Sequence, residues 1–146
     1  MSVITYFRRS GAEAVAELRR LLGEDVGKAL EFADGQPGTH TDKAWAGLHF
    51  LLLDLDPPVD VFEPGEPFLI LSAEQVEAAA AFFGATPFTA AAAGYDRALM
   101  ESIGVYPADL WEADWALSYL EDAYVRVVAL FRDAAAAGDQ VVAWRA

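Results

Sequence analysis

Few residues in this chain have the types and spacing for chemistry, and most of them share one stretch. Residues 42–53 read Asp-Lys-Ala-Trp-Ala-Gly-Leu-His-Phe-Leu-Leu-Leu. If this stretch is helical, Asp42 and His49 lie two turns apart on roughly one side, and a carboxylate beside an imidazole can do general-base work. No nucleophile stands at a readable spacing from His49, so the plainer expectation is an interior histidine satisfied by a carbonyl or hydroxyl. His40-x-Asp42 and Asp54-x-Asp56 are the fragments that could hold a metal. A calcium loop opening at Asp54 needs glycine at its sixth position and glutamate at its twelfth, but these are Val59 and Gly65. His40 and His49 have no third ligand in a known pattern. The expectation is therefore no metal and no cofactor, with the loop acids simply solvated.

Other chemistries are excluded more directly. The chain has no cysteine, which removes thiolate catalysis, disulfides and Cys-based zinc sites. The Gly-x-Ser-x-Gly elbow is absent, as are the Gly-rich phosphate cradles. Tyr106, Trp111 and Trp115 gather near Pro107, where aromatics with a polar tip can line a pocket or simply pack a turn. Asp114, Glu121 and Asp122 fall opposite the apolar stripe of the last helix. They read as a solvated face or, more sharply, as an acidic docking surface for a basic protein.

These residues need elements to position them. Stretch 42–53 is apolar on nearly every side and so is expected to be a central helix buried all round, with Thr41 as its N-cap. Gly47 in its middle costs about 1 kcal/mol relative to alanine, which implies a close crossing by a neighbour. Val3 to Arg8 reads as a strand, and Ser10 with Glu13 as a capping box opening a helix that Gly23 closes. A short helix follows from Asp25 to about Phe32, burying Val26, Ala29 and Leu30, and then a polar loop through Asp34-Gly35 and Pro37-Gly38. Residues 54–67 hold four prolines and five acids, the longest irregular stretch. Phe68 to Leu71 reads as a strand, and Ser72 with Gln75 caps a helix to about Phe83. Thr86-Pro87 opens another helix, carrying Leu99 and Met100. Asp109 with Glu112 caps the longest helix, whose core stripe is Leu117, Leu120, Tyr124, Val127 and Phe131. Gly138 ends it, and Val141 to Trp144 is a terminal strand.

The sum is an α+β fold: a single domain over residues 1–146, with a small sheet of about three short strands covered by five to seven helices. At 146 residues and 55% hydrophobic, the chain can bury a real core. A net charge of −13 opposes nucleic acid and anionic membrane surfaces as partners but leaves a basic protein partner open. The N-terminus lacks the basic-then-apolar order of a signal peptide, and no apolar run approaches the ~20 residues of a membrane span. A soluble, cytoplasmic protein is expected.

Four segments in order carry a resemblance: Ile4-Thr5-Tyr6-Phe7, Asp42-Lys43-x-Trp45-x-x-Leu48-His49-Phe50, Ser72-Ala73-Glu74-Gln75-Val76 and Val105-Tyr106-Pro107. Together they resemble the YfbM-like family, small bacterial proteins catalogued as a domain of unknown function. The resemblance implies one compact domain mixing helices and strands, bacterial and cytosolic. It supplies no catalytic residues, and segment 57–67 departs from the pattern. It marks Asp42, Lys43, Trp45, His49 and the Tyr106-Pro107 turn as a signature, of a fold nucleus or of a site.

Functionally, the sequence leans away from an enzyme and toward a soluble binding or interaction protein with an acidic surface. The alternative is an enzyme or small-molecule binder with a pocket at the N-terminal end of the central helix. Asp42, Lys43, Trp45 and His49 would line it, beside Tyr106 and Trp111. The oligomeric state is not legible from the sequence.

Overall fold

The two ends of the chain meet in one sheet. Strand β1 (Thr5–Ser10) pairs antiparallel with strand β4 (Gln140–Arg145), in register from Thr5 opposite Arg145 to Ser10 opposite Gln140. Two three-residue strands flank this pair: β2 (Gly38–His40) on β1 and β3 (Leu69–Leu71) on β4. The order is β2-β1-β4-β3, antiparallel throughout. The computed structural model describes residues 2–146.

Both faces of the sheet are covered, and the twofold alternation of strand side chains divides them. Val141 and Ala143 point into the larger core, while Val142 and Trp144 point into the smaller one. The smaller core is closed by helices α1 (Ala12–Leu22) and α2 (Val26–Asp34) through Val15, Leu18, Ala29 and Ala33. The larger is closed by α3 (Trp45–Leu52), α4 (Ala73–Ala85) and α7 (Ala116–Ala137), with the short helices α5 (Phe88–Ala92) and α6 (Arg97–Ser102) beside them. Leu120, Tyr124, Val127 and Phe131 of α7 are buried as the stripe requires, while Leu117 lies at its exposed margin. The expectation of one α+β domain holds, with four strands among the described residues where the sequence shows three.

The missed strand is Gly-Thr-His, too short and too poor in β-formers to announce itself. Gly38 is required there, because a Cβ would run into the Phe7 carbonyl. The capping box at Ser72 and Gln75 forms in full, at 2.9 and 3.1 Å. The one at Ser10 does not. That residue is buried at the end of β1, and Gly11 begins the helix without a side-chain cap. Val26 is exposed rather than buried. The helix opened at Pro87 breaks in two, since Asp96 caps a fresh start by accepting from the Leu99 amide at 3.0 Å. Asp109 precedes and Glu112 ends a separate 3-10 turn (Leu110–Glu112), four residues before α7 begins.

The central helix also differs in detail. Asp42–Ala44 is a 3-10 turn, and α3 starts at Trp45. Thr41 does not cap it; its buried hydroxyl donates to the Asp42 carbonyl at 2.9 Å and accepts from the Thr5 amide at 3.4 Å. Trp45, Gly47, Leu48, Leu51 and Leu52 are buried, but His49 and Phe50 are half-buried and Leu53 is exposed. One side of this helix thus opens to the surface. The close crossing at Gly47 is real: a Cβ there would collide with the Trp111 ring and stand 2.8 Å from Leu120 Cδ2. No helix among the described residues is long and apolar enough to cross a membrane.

Candidate functional site

The signature residues fall into two groups on different surfaces. At the start of the central segment, Asp42 adopts a left-handed backbone with φ of 51°, a conformation that aspartate tolerates better than most residues. Its carboxylate accepts from the Tyr119 hydroxyl at 2.8 Å, and the same hydroxyl accepts from the Lys43 amide at 2.9 Å. Burial, and next the hydrogen bond to Asp42, push the Tyr119 hydroxyl up to about 12. As a neutral phenol it bridges the Asp42 carboxylate and the Lys43 amide. The Asp42 amide in turn donates to His40 Nδ1 at 2.9 Å.

Asp42 and Lys43 line an open hollow of about 420 Å³ with Asp109, Leu110, Trp115 and Tyr119. A second hollow adjoins it, lined by Trp115, Ser118, Tyr119 and Asp122. Trp115 borders both and is 55% exposed, its ring edge-on to Tyr119 with centroids 5.7 Å apart.

His49 lies elsewhere and does not meet Asp42. Its side chain is 24% exposed, with Asp60 Oδ2 3.0 Å from Nδ1 and Glu63 Oε2 3.5 Å from Nε2. The expected carbonyl or hydroxyl partner is replaced by two carboxylates from the Pro-rich segment. The reason lies between them: Val61 and Phe62 are buried, and so is Pro64. The backbone is drawn into the core by these residues while Asp60 and Glu63 stay outside. The Phe62 carbonyl also accepts from the Thr5 hydroxyl at 3.3 Å.

His49 separates two cavities. One, about 200 Å³ and mostly apolar, lies under the Pro-rich segment, with Asp60, Leu52, Val61 and Phe83 in its walls. The other is lined by Glu63, Trp45, Phe50, Ile103 and Tyr106. Trp45 and Tyr106 serve the fold here. The Trp45 indole donates to the Val3 carbonyl at 2.9 Å, the Tyr106 hydroxyl accepts from the Val3 amide at 2.9 Å, and their rings stack at 5.7 Å. Trp111 lines none of these hollows. It is fully buried against Gly47, with its indole donating to the Val105 carbonyl at 2.8 Å, so its place in a ligand site is corrected to one in the core. The expected aromatic cluster accordingly comes apart.

By sequence, Asp60 and Glu63 read simply as solvated loop acids. The signal that could have found them is an apolar Val-Phe pair between acids three apart, which turns the pair inward and the acids outward. Asp109 and Tyr119 had no such signal.

The match to the family model described as "Domain of unknown function (DUF1877)" covers residues 1–144. No curated protein matches the sequence. Among solved structures, the chain is similar to the crystal structure of a protein of unknown function, YfbM from Escherichia coli. That similarity has a TM-score of 0.69 and 13% identity, covering 96% of this chain and 98% of the other. At that identity the likeness establishes a shared fold, and the family model establishes the rest: the chain belongs to the YfbM-like family defined by DUF1877.

Proposed function

We propose that the protein is a non-enzymatic binding protein that takes a basic segment of another protein at the hollows around Trp115. The observation that carries this reading is a half-exposed indole with Asp42 and Asp109 on one side and Asp122 on the other. An exposed tryptophan offers its ring face to a guanidinium or ammonium group, and flanking carboxylates add hydrogen bonds and attraction. Lys43 is the one cation in these linings, against three acids. The net charge of −13 steers a basic partner toward the surface.

The test is titration of a short arginine-rich peptide into the full chain at low ionic strength, followed by calorimetry. Trp115→Ala leaves the net charge untouched and is expected to weaken binding by about 5- to 30-fold, the loss of a cation–π contact of about 1–2 kcal/mol. Equal affinity in the two proteins would show attraction by diffuse charge alone and remove the proposal.

A further inference from the structure

We infer that His49, Asp60 and Glu63 form a binding site for a divalent first-row transition-metal ion, independent of the surface around Trp115. The three side chains each offer one ligand atom within 4.8 Å of the others. The two imidazole contacts differ in kind. Nδ1 stands 3.0 Å from Asp60 Oδ2, a close contact with a carboxylate. Nε2 to Glu63 at 3.5 Å is too long for a good hydrogen bond. It does match an ion between them, because two ligands about 2.1 Å from a tetrahedral centre stand about 3.4 Å apart. The geometry then places the ion on Nε2 and the Glu63 carboxylate. Asp60 lies beside Nδ1, the position from which a carboxylate orients a ligating histidine.

The charge and ligand chemistry agree with this assignment. With a neutral imidazole the cluster carries two negative charges, which a divalent ion balances. An imidazole nitrogen with carboxylate oxygens suits zinc and its neighbours, whereas magnesium and calcium take oxygen alone. The backbone that carries the site is anchored before any ion arrives. His49 is fixed on α3, and the two carboxylates hang from a backbone anchored by buried Val61, Phe62 and Pro64. Only two protein ligands reach the ion directly, and His49 and Glu63 both line the second cavity, so the remaining positions are open there to water or to a ligand.

Titration of zinc chloride into the metal-stripped full chain tests this by calorimetry, with cobalt(II) absorption as a second reporter. One equivalent is expected to bind. His49→Gln and Glu63→Gln are expected to abolish it, and Asp60→Asn to weaken it by about 10- to 100-fold. His40→Gln is expected to leave it unchanged. Unfolding midpoints measured without metal show whether each variant folds. If one does not, nitrogen NMR of the wild-type imidazoles decides, with zinc shifting the His49 ring and leaving His40 alone. Undiminished zinc binding by the folded His49→Gln variant overturns the inference, as does equal competition by magnesium or calcium, or an unmoved His49 ring. Loss of peptide binding in Trp115→Ala with zinc binding intact separates the two sites.

Discussion

At the scale of single residues, position in the fold decided roles that residue type left open. Asp42 and His49 are the two groups a sequence would pair for base chemistry, and each found another partner: Tyr119 for one, Asp60 and Glu63 for the other. Tyr124 shows the same control on a titratable group. It is buried, its hydroxyl donates to the Thr86 carbonyl at 2.6 Å, and burial pushes it up to about 12. A phenol raised above its ordinary value of about 10 stabilises the fold fully below that pH and ceases to do so as pH climbs toward 12. Urea unfolding should therefore show stability falling between about pH 10 and pH 12. Tyr124→Phe should be less stable at neutral pH and fall less steeply through that window; an equally steep fall would place the titration elsewhere.

At the scale of elements, local signals located helices well and their ends less well. The Ser72–Gln75 box, the Gly23 stop and the α7 stripe depend on neighbours within a few residues, and each is as the sequence indicates but for Leu117 at the stripe's exposed margin. Ser10 and Glu13 show the same capping spacing, but the serine is claimed by the sheet. The α3–α7 crossing gives the clearest test at this scale. Gly47→Ala forces a methyl into the Trp111 ring and Leu120, where the packed core has little freedom to retreat. The better helix propensity of alanine offsets about 1 kcal/mol, and overpacking costs about 1–3 kcal/mol. Urea denaturation is expected to show a net loss of up to about 2 kcal/mol. A stabilised variant would mean that the helices cross farther apart.

At the scale of the whole molecule, charge and topology dominate. With 23 acids and 10 lysines and arginines, the surface repels itself, and salt screens that repulsion. In chelator-treated protein, raising sodium chloride is expected to lift the thermal midpoint by a few degrees, at about 2–4 °C per kcal/mol recovered. A midpoint that drops with salt would show that ion pairs such as Arg9–Asp139, at 2.9 Å, outweigh the net charge.

What the sequence by itself determined was class and local form: one α+β domain, most helices, the α7 core stripe and the tight place at Gly47. These follow from periodicity and from conformational preferences that act over a turn or two of chain. Tertiary structure alone decided that β2 exists, that Trp111 is core, and that the signature divides between two surfaces. It also decided that Asp42 meets a tyrosine 77 residues away and that His49 meets Asp60 and Glu63. The physical reason is that such meetings depend on how packed elements cross and on which loop residues are drawn inward. A local pattern carries neither.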